Sequence, residues 1–305
     1  MRLIADIGGT NARLALSEAG QIVAGSTRSY TNAKWGSLYE VVDDFLSLPQ
    51  MPALTEVVIA LAGPVQGTRA ELTNYDWQIG AEALSDLTGA GKVHLLNDLT
   101  ALGYAVPQLR TDQLTLLREG QPKGGPVQQS LVVGIGTGFN VSPVLQHMNT
   151  VICPAVEAGH ISMPHSVSTR LPRLGCDPQS FGTIETLFSG RGFAAFCQQL
   201  TGQPDMTGPE AIGAYSDPAQ PKVTKAVDAY AALLGHLLQD LSLAYMPLGG
   251  LYLAGSVARS VLSTARQPCF DTFGAPRSIL VHKDTPVWAI ADDLAALTGC
   301  AKIVL

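Results

Sequence analysis

Two stretches of this chain read as one unit written twice. Residues 1–5 (MRLIA) form a short apolar run, Asp6-Ile7-Gly8-Gly9-Thr10 follows, and residues 11–15 (NARLA) restart strand character. Much later, residues 130–135 (SLVVGI) are again an apolar run, Gly136-Thr137-Gly138 follows, and residues 139–145 (FNVSPVL) restart the strand. Each copy predicts a strand, a bend of small residues and an antiparallel strand. A unit repeated at such a distance predicts a duplication, with one hairpin at the head of each half of the fold.

Glycine in so tight a bend predicts positive φ and leaves the backbone N–H groups uncovered. Successive uncovered N–H groups make a concave anion site suited to phosphate oxygens. A Gly-Gly bend is equally an ordinary hairpin connection, and a single copy carries no more than that. Asp6 closes the first apolar run and, being an anion, cannot itself attract phosphate. A carboxylate beside a phosphate cradle fits a hard cation such as Mg2+ lying between them, often through water.

The chain has 305 residues, enough for two domains of ordinary size. Hydrophobic residues make up 46% and charged residues 14%, with a net charge of −6 and no basic run. That balance argues against nucleic acid and anionic membrane surfaces as partners. No apolar run reaches the ~18 residues of a membrane span, and Met1 leads straight into a strand rather than a signal peptide. The five cysteines (Cys153, Cys176, Cys197, Cys269, Cys300) are scattered, with no Cys-x-x-Cys pair. Free thiols in a reducing cytoplasm are expected, without a zinc site.

Further along, the pattern predicts a strand over 21–30, an amphipathic helix over 33–48 and a buried strand over 56–62. A loop or short strand over 72–77 and a helix over 81–88 follow. A strand over 92–96 ends in Asn97-Asp98 and a helix follows over 99–106. The polar stretch 108–129 carries the domain boundary. In the second half a third strand is expected at 150–153, then Glu157-Ala158-Gly159-His160 in a loop and an irregular stretch over 164–178. Helices are expected over 180–187 (carrying Glu185), 192–200, 208–216 and 222–245. A strand over 251–254 opens into Gly255-Ser256-Val257, and a strand over 278–282 and a helix over 287–297 end the chain. The expected domains are 1–108 with about 288–305, and 109–287.

Asp98 is the sharpest candidate for chemistry. A carboxylate at the end of a buried strand faces the crevice where open α/β sheets bind ligands, and phosphoryl transfer to a hydroxyl needs a positioned base. The same residue also reads as the N-cap of the helix that follows. The adjacent Asn97 and the two hairpins favour the base. Glu157, His160 and Glu185 carry groups able to grip vicinal hydroxyls; each alone reads equally as a loop charge or a satisfied histidine. Gly159 and the lack of a helical pattern argue against a Glu-x-x-His metal pair.

Taken together these motifs resemble the bacterial glucokinase family, over nearly the whole chain. Asp6-Ile7-Gly8-Gly9-Thr10-Asn11-Ala12-Arg13 is similar to its first phosphate motif and Gly136-Thr137-Gly138 to its second. Leu72-Thr73-Asn74 with Trp77 is similar to a substrate-side segment, and Asn97-Asp98 to the sugar-binding and catalytic pair. Glu157-Ala158-Gly159-His160 resembles the family's Glu-Gly-Gly-His, and Glu185 in Glu-Thr-Leu-Phe-Ser-Gly its last sugar-contacting glutamate. Ala254-Gly255-Ser256-Val257 resembles the nucleoside-binding strand end.

The resemblance implies an α/β fold of two ribonuclease-H-like (actin-like ATPase) domains flanking a central cleft. It implies a cytoplasmic ATP-dependent kinase making glucose 6-phosphate, with Asp98 as the base for the sugar 6-hydroxyl. Asn97, Asp98, Glu157, His160 and Glu185 would bind glucose or a related hexose. Asp6, Gly8, Gly9, Thr10, Asn11, Gly136, Thr137, Gly138 and Gly255 would bind ATP, and Asp6 would hold Mg2+ through water. A homodimer is expected by the same analogy. The alternatives are a kinase for another hexose or amino sugar, or a catalytically weakened sugar-binding regulator. The chain departs from the family at Phe139-Asn140, where Leu-Gly is common, and at Ser256 in place of glycine. The expected last helix is bulkier, and residues 164–178 lack the usual acidic helix. These departures are expected to fall on the nucleotide side and the lid and to leave the sugar set intact.

Overall fold

The structure, a computed structural model, describes residues 1–72, 75–123, 125–276 and 284–303. The chain divides into two compact units, Met1–Arg110 with Val151–Cys153 and Asp292–Leu305, and Thr111–Thr150 with Pro154–Ala291.

The first unit contains β1 (Arg2–Ile7), β2 (Asn11–Glu18), β3 (Gln21–Ile22), β4 (Arg28–Thr31), α1 (Leu38–Leu46), β5 (Glu56–Leu61), β6 (Val65–Gln66), β7 (Arg69–Glu71) and β8 (Gln78–Gly80). After these come α2 (Ala81–Thr88), β9 (Lys92–Asn97) and α3 (Asp98–Ala105). The second contains β10 (Leu114–Arg118), β11 (Gln128–Ile135), β12 (Phe139–His147), α4 (His165–Ser168), α5 (Leu171–Leu174), α6 (Ile184–Leu187) and α7 (Gly190–Thr201), with β13 (Thr150–Ile152) divided, since Val151 and Ile152 are counted with the first. It continues with α8 (Gly208–Gly213), α9 (Pro221–Tyr245), β14 (Gly250–Ala254), α10 (Ser256–Thr264), α11 (Arg266–Gly274) and β15 (Val287–Ile290), before α12 (Ala295–Lys302) rejoins the first unit.

The first sheet runs β3-β2-β1-β5-β9, with β4 also on β2; β6, β7 and β8 make a small separate sheet. β1 is antiparallel to β2 and parallel to β5, which is parallel to β9. Its apolar residues are buried on both faces, as the continuous runs of β1 and β5 require. Leu3, Ala5 and Ile7 pack with Val41, Val42 and Phe45 of α1, while Ile4, Val58 and Ala60 pack with Leu297 and Cys300 of α12. α12 crosses α3 so closely that a β-carbon on Gly299 would lie 1.8 Å from the Ala101 carbonyl oxygen. Arg2 closes the end of α12. Its Nη1 donates to the carbonyls of Cys300, Ala301 and Ile303 at 3.2, 3.1 and 3.1 Å, and its Nη2 meets Glu56 at 2.6 Å. Those carbonyls have no partner within a helix.

The second sheet runs β10-β15-β14-β11-β12-β13, with β11, β14 and β15 parallel and β12 antiparallel to β11. α9 lies in its core; Tyr230 packs on Phe193 of α7 with ring centroids 4.7 Å apart. Among the described residues no helix is long and apolar enough to cross a membrane.

Several elements differ from the pattern-based expectation. The strand expected over 21–30 is two pieces, broken where Gly25 takes φ +76°. The helix expected from 33 starts at 38, because Ser37 accepts the Glu40 N–H (3.3 Å) and Glu40 accepts the Gly36 N–H (2.9 Å). Of the helix expected over 180–187, Pro178–Phe181 is a 3-10 turn and only Ile184–Leu187 is α-helix. The helix expected over 287–297 is wrong. Residues 287–290 form β15, between β14 and β10, and Trp288 stacks on Tyr252 with centroids 5.0 Å apart. Asp292 then accepts the Leu294 N–H at 2.9 Å, and helix begins only at Ala295. β10 lies in the polar boundary stretch 108–129, where no strand is expected. Residues 278–282 and the pair Thr73-Asn74 lie outside the described residues.

Candidate active site

Each sheet places its bend at the carboxyl ends of its parallel strands, the usual ligand-binding edge of α/β sheets. In the first unit Ile7 pairs with Leu61, and Leu61 with Asn97. The bend after Ile7 and the Asn97-Asp98 pair therefore share one edge, two strand spacings or about 10 Å apart. In the second unit Gly134 pairs with Ala254, which sets the bend after Ile135 beside Gly255.

The first bend is closed by the Gly8 N–H donating to Asn11 O at 2.9 Å. It is held from beneath by Asn32, a residue fully removed from solvent. Asn32 donates from Nδ2 to Gly8 O (2.8 Å) and from its backbone N–H to Thr10 O (2.9 Å). Its Oδ1 is buried without a hydrogen-bond partner. Asp6 is 9% exposed, with Arg13, its partner across the hairpin, at 3.6 Å. Burial pushes its carboxyl up to about 6; Arg13 pulls against that rise and Asp293 adds to it.

Asn97, not Asp98, takes the capping place. Asn97 is the N-cap of α3, its Oδ1 accepting the Leu99 N–H at 3.0 Å, while its Nδ2 reaches Gly63 O at 3.4 Å. Asp98 is the first residue of the helix, and its Oδ1 also faces the Leu99 N–H, at 2.8 Å. A carboxylate in the first helical turn lies at the positive end of the helix dipole.

In the second unit four short segments meet. The Gly136 N–H donates to Gly138 O at 3.0 Å, and the Gly190 N–H at the start of α7 donates to Gly136 O at 2.8 Å. Gly255 approaches from β14; a β-carbon there would lie 2.3 Å from Ile135 O. Glu185 of α6 accepts the Phe139 N–H at 3.0 Å, so close to the bend that a β-carbon on Gly138 would lie 2.6 Å from Glu185 Oε2. Asn140 then knits in the Glu157 segment. Its Nδ2 donates to Val156 O (2.7 Å) and Glu157 Oε2 (3.1 Å), and its Oδ1 accepts the Ala158 N–H (2.9 Å). His160 stands exposed in the same 3-10 turn, Ala158–His160. The structure thus gathers Gly136–Gly138, Gly255, Glu157, His160 and Glu185 within the second unit. Asp6, Gly8, Gly9, Thr10, Asn11, Asn97 and Asp98 belong to the first.

The glycines of the two bends are not among those with positive φ. Of these, Gly138 is small for another reason, because the Glu185 carboxylate occupies the space of a side chain; Gly255, outside the bends, combines φ +93° with the Ile135 carbonyl in that space. The sequence pattern missed Asn32, Asn140 and Arg191, the last of which pairs with Glu185 at 2.5 Å. Asn140 was visible as a polar residue where the family commonly has glycine; Asn32 had no local signal.

Solved sugar kinases share this architecture. A glucokinase from an Antarctic psychrotroph matches with a TM-score of 0.81 at 25% identity, covering 99% of this chain and 97% of that one. A glucokinase from Balamuthia mandrillaris, solved in complex with glucose, matches with a TM-score of 0.76 at 19% identity, covering 99% and 92%. The fold is therefore the mixed α/β fold of these sugar kinases. At the level of sequence, a family model described as Glucokinase matches residues 3–305. The glucokinase of Brucella abortus is 30% identical over 97% of this chain and 89% of its own length; that of Marinobacter nauticus is 27% identical over 98% and 96%. The chain belongs to the glucokinase family.

Proposed function

We propose that this protein is an ATP-dependent glucokinase that transfers the γ-phosphoryl group of ATP to the 6-hydroxyl of glucose. In this reading the two units are the two halves of an actin-like ATPase fold, each supplying one phosphate bend. Family membership over residues 3–305 supports the activity. The observation that carries the mechanism is local: Asn97 caps α3, and Asp98 stands beside it on the sheet edge that bears the first bend.

Asn97, Asp98, Glu157, His160 and Glu185 hold the sugar. The Asp98 carboxylate accepts the 6-hydroxyl proton as that oxygen bonds to the γ-phosphorus and the bond to the ADP oxygen breaks. The backbone N–H groups of Gly9–Asn11 and of Thr137 and Gly138 face the phosphates, where fixed donors stabilise developing charge without reorganising. Gly255 lets the nucleoside approach the end of β14. Asp6 fits the expected cation: a nearly buried carboxylate whose charged form is disfavoured gains from a divalent counter-charge. It would hold Mg2+ through water, and the ion would neutralise charge on the transferring group. All five cysteines are buried and none is joined in a disulfide, which supports a reducing compartment.

The test is Asp98→Asn. Glucose binding by calorimetry should persist while turnover falls roughly 10²–10⁴-fold, the usual worth of a positioned base. Turnover near the wild-type value would overturn the assignment.

A further inference from the structure

Arg191 has no role in the scheme above, yet it sits where the sugar-side and phosphate-side groups of the second unit meet. Its guanidinium Nη2 lies 2.5 Å from Glu185 Oε1, with its side chain 73% exposed and that of Glu185 20% exposed. The other oxygen of Glu185 is taken by the Phe139 N–H. One residue before Arg191, the Gly190 N–H is bonded to Gly136 O in the second bend. The arginine therefore springs from the helical turn that touches the bend, and its head rests on the carboxylate assigned to the sugar.

A structural duty does not explain this placement. An ion pair with one partner mostly in water adds little stability, and it restrains a long side chain that would otherwise be mobile. The start of α7 is already capped, Ser189 Oγ accepting the Gly192 N–H at 3.2 Å. What the pair does achieve is to occupy Glu185 Oε1 with a cation that can leave.

We propose that Arg191 is a positioning residue that couples sugar binding to donor binding by changing partners. The inference rests on the kinase reading of Glu185 and of the Gly136–Gly138 bend. A sugar hydroxyl donating to Glu185 Oε1 competes with Arg191 for that oxygen and releases the guanidinium. The released head, on its solvated stem, turns to the donor phosphates at the bend beside its own helical turn. An arginine head is well suited to phosphate oxygens. In the reverse direction, bound phosphates draw Arg191 away and open Oε1 to the sugar. Linkage makes the two effects equal. No bond is made or broken; an ion pair is exchanged.

The experiment is calorimetric titration of glucose with and without a non-hydrolysable ATP analogue and Mg2+, on wild type, Arg191→Met and Arg191→Lys. Wild type should bind glucose at least ~5-fold more tightly when the analogue is present. In Arg191→Met glucose affinity alone should be unchanged or stronger. The analogue should bind more weakly and no longer alter the glucose affinity, and Arg191→Lys should restore part of the coupling. Thermal unfolding checks that the exposed substitution leaves the fold intact. Coupling in Arg191→Met equal to that of wild type would overturn the proposal. So would a loss of glucose affinity independent of the analogue, which is what a mere support for Glu185 would give. Wild type that binds both ligands without coupling overturns this inference alone; wild type that binds neither overturns the kinase reading and the coupling with it.

Discussion

A single methyl group added at Gly159 tests how the sugar-side segment is held. A β-carbon there would lie 2.3 Å from Phe139 O, 3.3 Å from Phe139 C and 3.3 Å from Glu185 Cβ. Ordinary carbon–oxygen contacts are about 3.3 Å or longer, so relief requires a shift of about 1 Å. The obstacle is a backbone carbonyl, and Phe139 is fixed opposite Ile135 in the β11–β12 ladder. The turn must therefore move instead, and Glu157 and His160 move with it. Misplacement of about 1 Å in positioning groups costs up to ~10²-fold, and overpacking of this kind costs about 1–3 kcal/mol of stability. For Gly159→Ala the glucose KM should rise roughly 10- to 100-fold, with the ATP KM little changed, in steady-state assays varying each substrate. Thermal melting should show a loss of about 2–4 °C per kcal/mol. Gly182→Ala is the control, because a β-carbon there meets nothing within 4 Å. A folded Gly159→Ala protein with wild-type glucose KM would refute the reasoning. The neighbouring residue shows why position matters: Ala158, standing where the family motif has glycine, is 2% exposed and its methyl joins the core.

Three further outcomes are expected. Asn32→Ala removes the donor to Gly8 O and should raise the ATP KM with little effect on the glucose KM. Its stability cost should stay near ~1 kcal/mol, because the same change removes an unpartnered buried oxygen; an unchanged ATP KM in kinetic assays would count against the support role. Arg2→Ala uncaps α12 and leaves Glu56 with His94 at 3.2 Å as its neighbour, and chemical denaturation should show a loss of about 1.5–3 kcal/mol; unchanged stability would show that water replaces the arginine. Burial pushes the Cys176 thiol up to about 11 and Cys197 to about 12, with Cys269 and Cys300 also raised. Thiolate forms only as pH rises toward those values, so these four thiols should react with a disulfide reagent at pH 8 only as the protein opens. Rapid labelling of all of them in the native state would contradict that.

Much of the first unit was legible because its chemistry is local. β1 and β5 are apolar runs covered on both faces, and α2 ends at Gly89 in the left-handed region, as its sequence suggests. Asn97-Asp98 was legible as the end of β9, but the sequence offered Asp98 as the cap of α3 and the structure gives that place to Asn97. What escaped was decided at a distance. Residues 287–297 have apolar spacing compatible with a helix, but 287–290 are claimed by pairing with β14 and β10. β10 itself hides in a polar stretch and is interrupted by a register shift between Leu116 and Arg118. Asn32 reaches the first bend from 24 residues away, and no pattern in the residues around it announces that.

The substitution at position 140 changes how the family departures should be weighed. In sequence, Phe139-Asn140 lies in the second phosphate bend, so a residue larger than glycine there points to altered donor binding. In the structure the Asn140 side chain turns to Val156, Glu157 and Ala158, three residues of the sugar-side segment. Phe139 offers its N–H to Glu185 and packs its ring toward Phe188 at 6.5 Å between centroids. β12 begins at this point, and alternate residues of a strand face opposite ways. The start of β12 thus continues from the bend and also holds Glu157 and Glu185, the two carboxylates proposed for the sugar. The departure therefore stiffens the Glu157 segment from outside the residues assigned to the sugar. The same short segment, Gly138-Phe139-Asn140, joins the bend to Glu157 and Glu185, the second of which also holds Arg191.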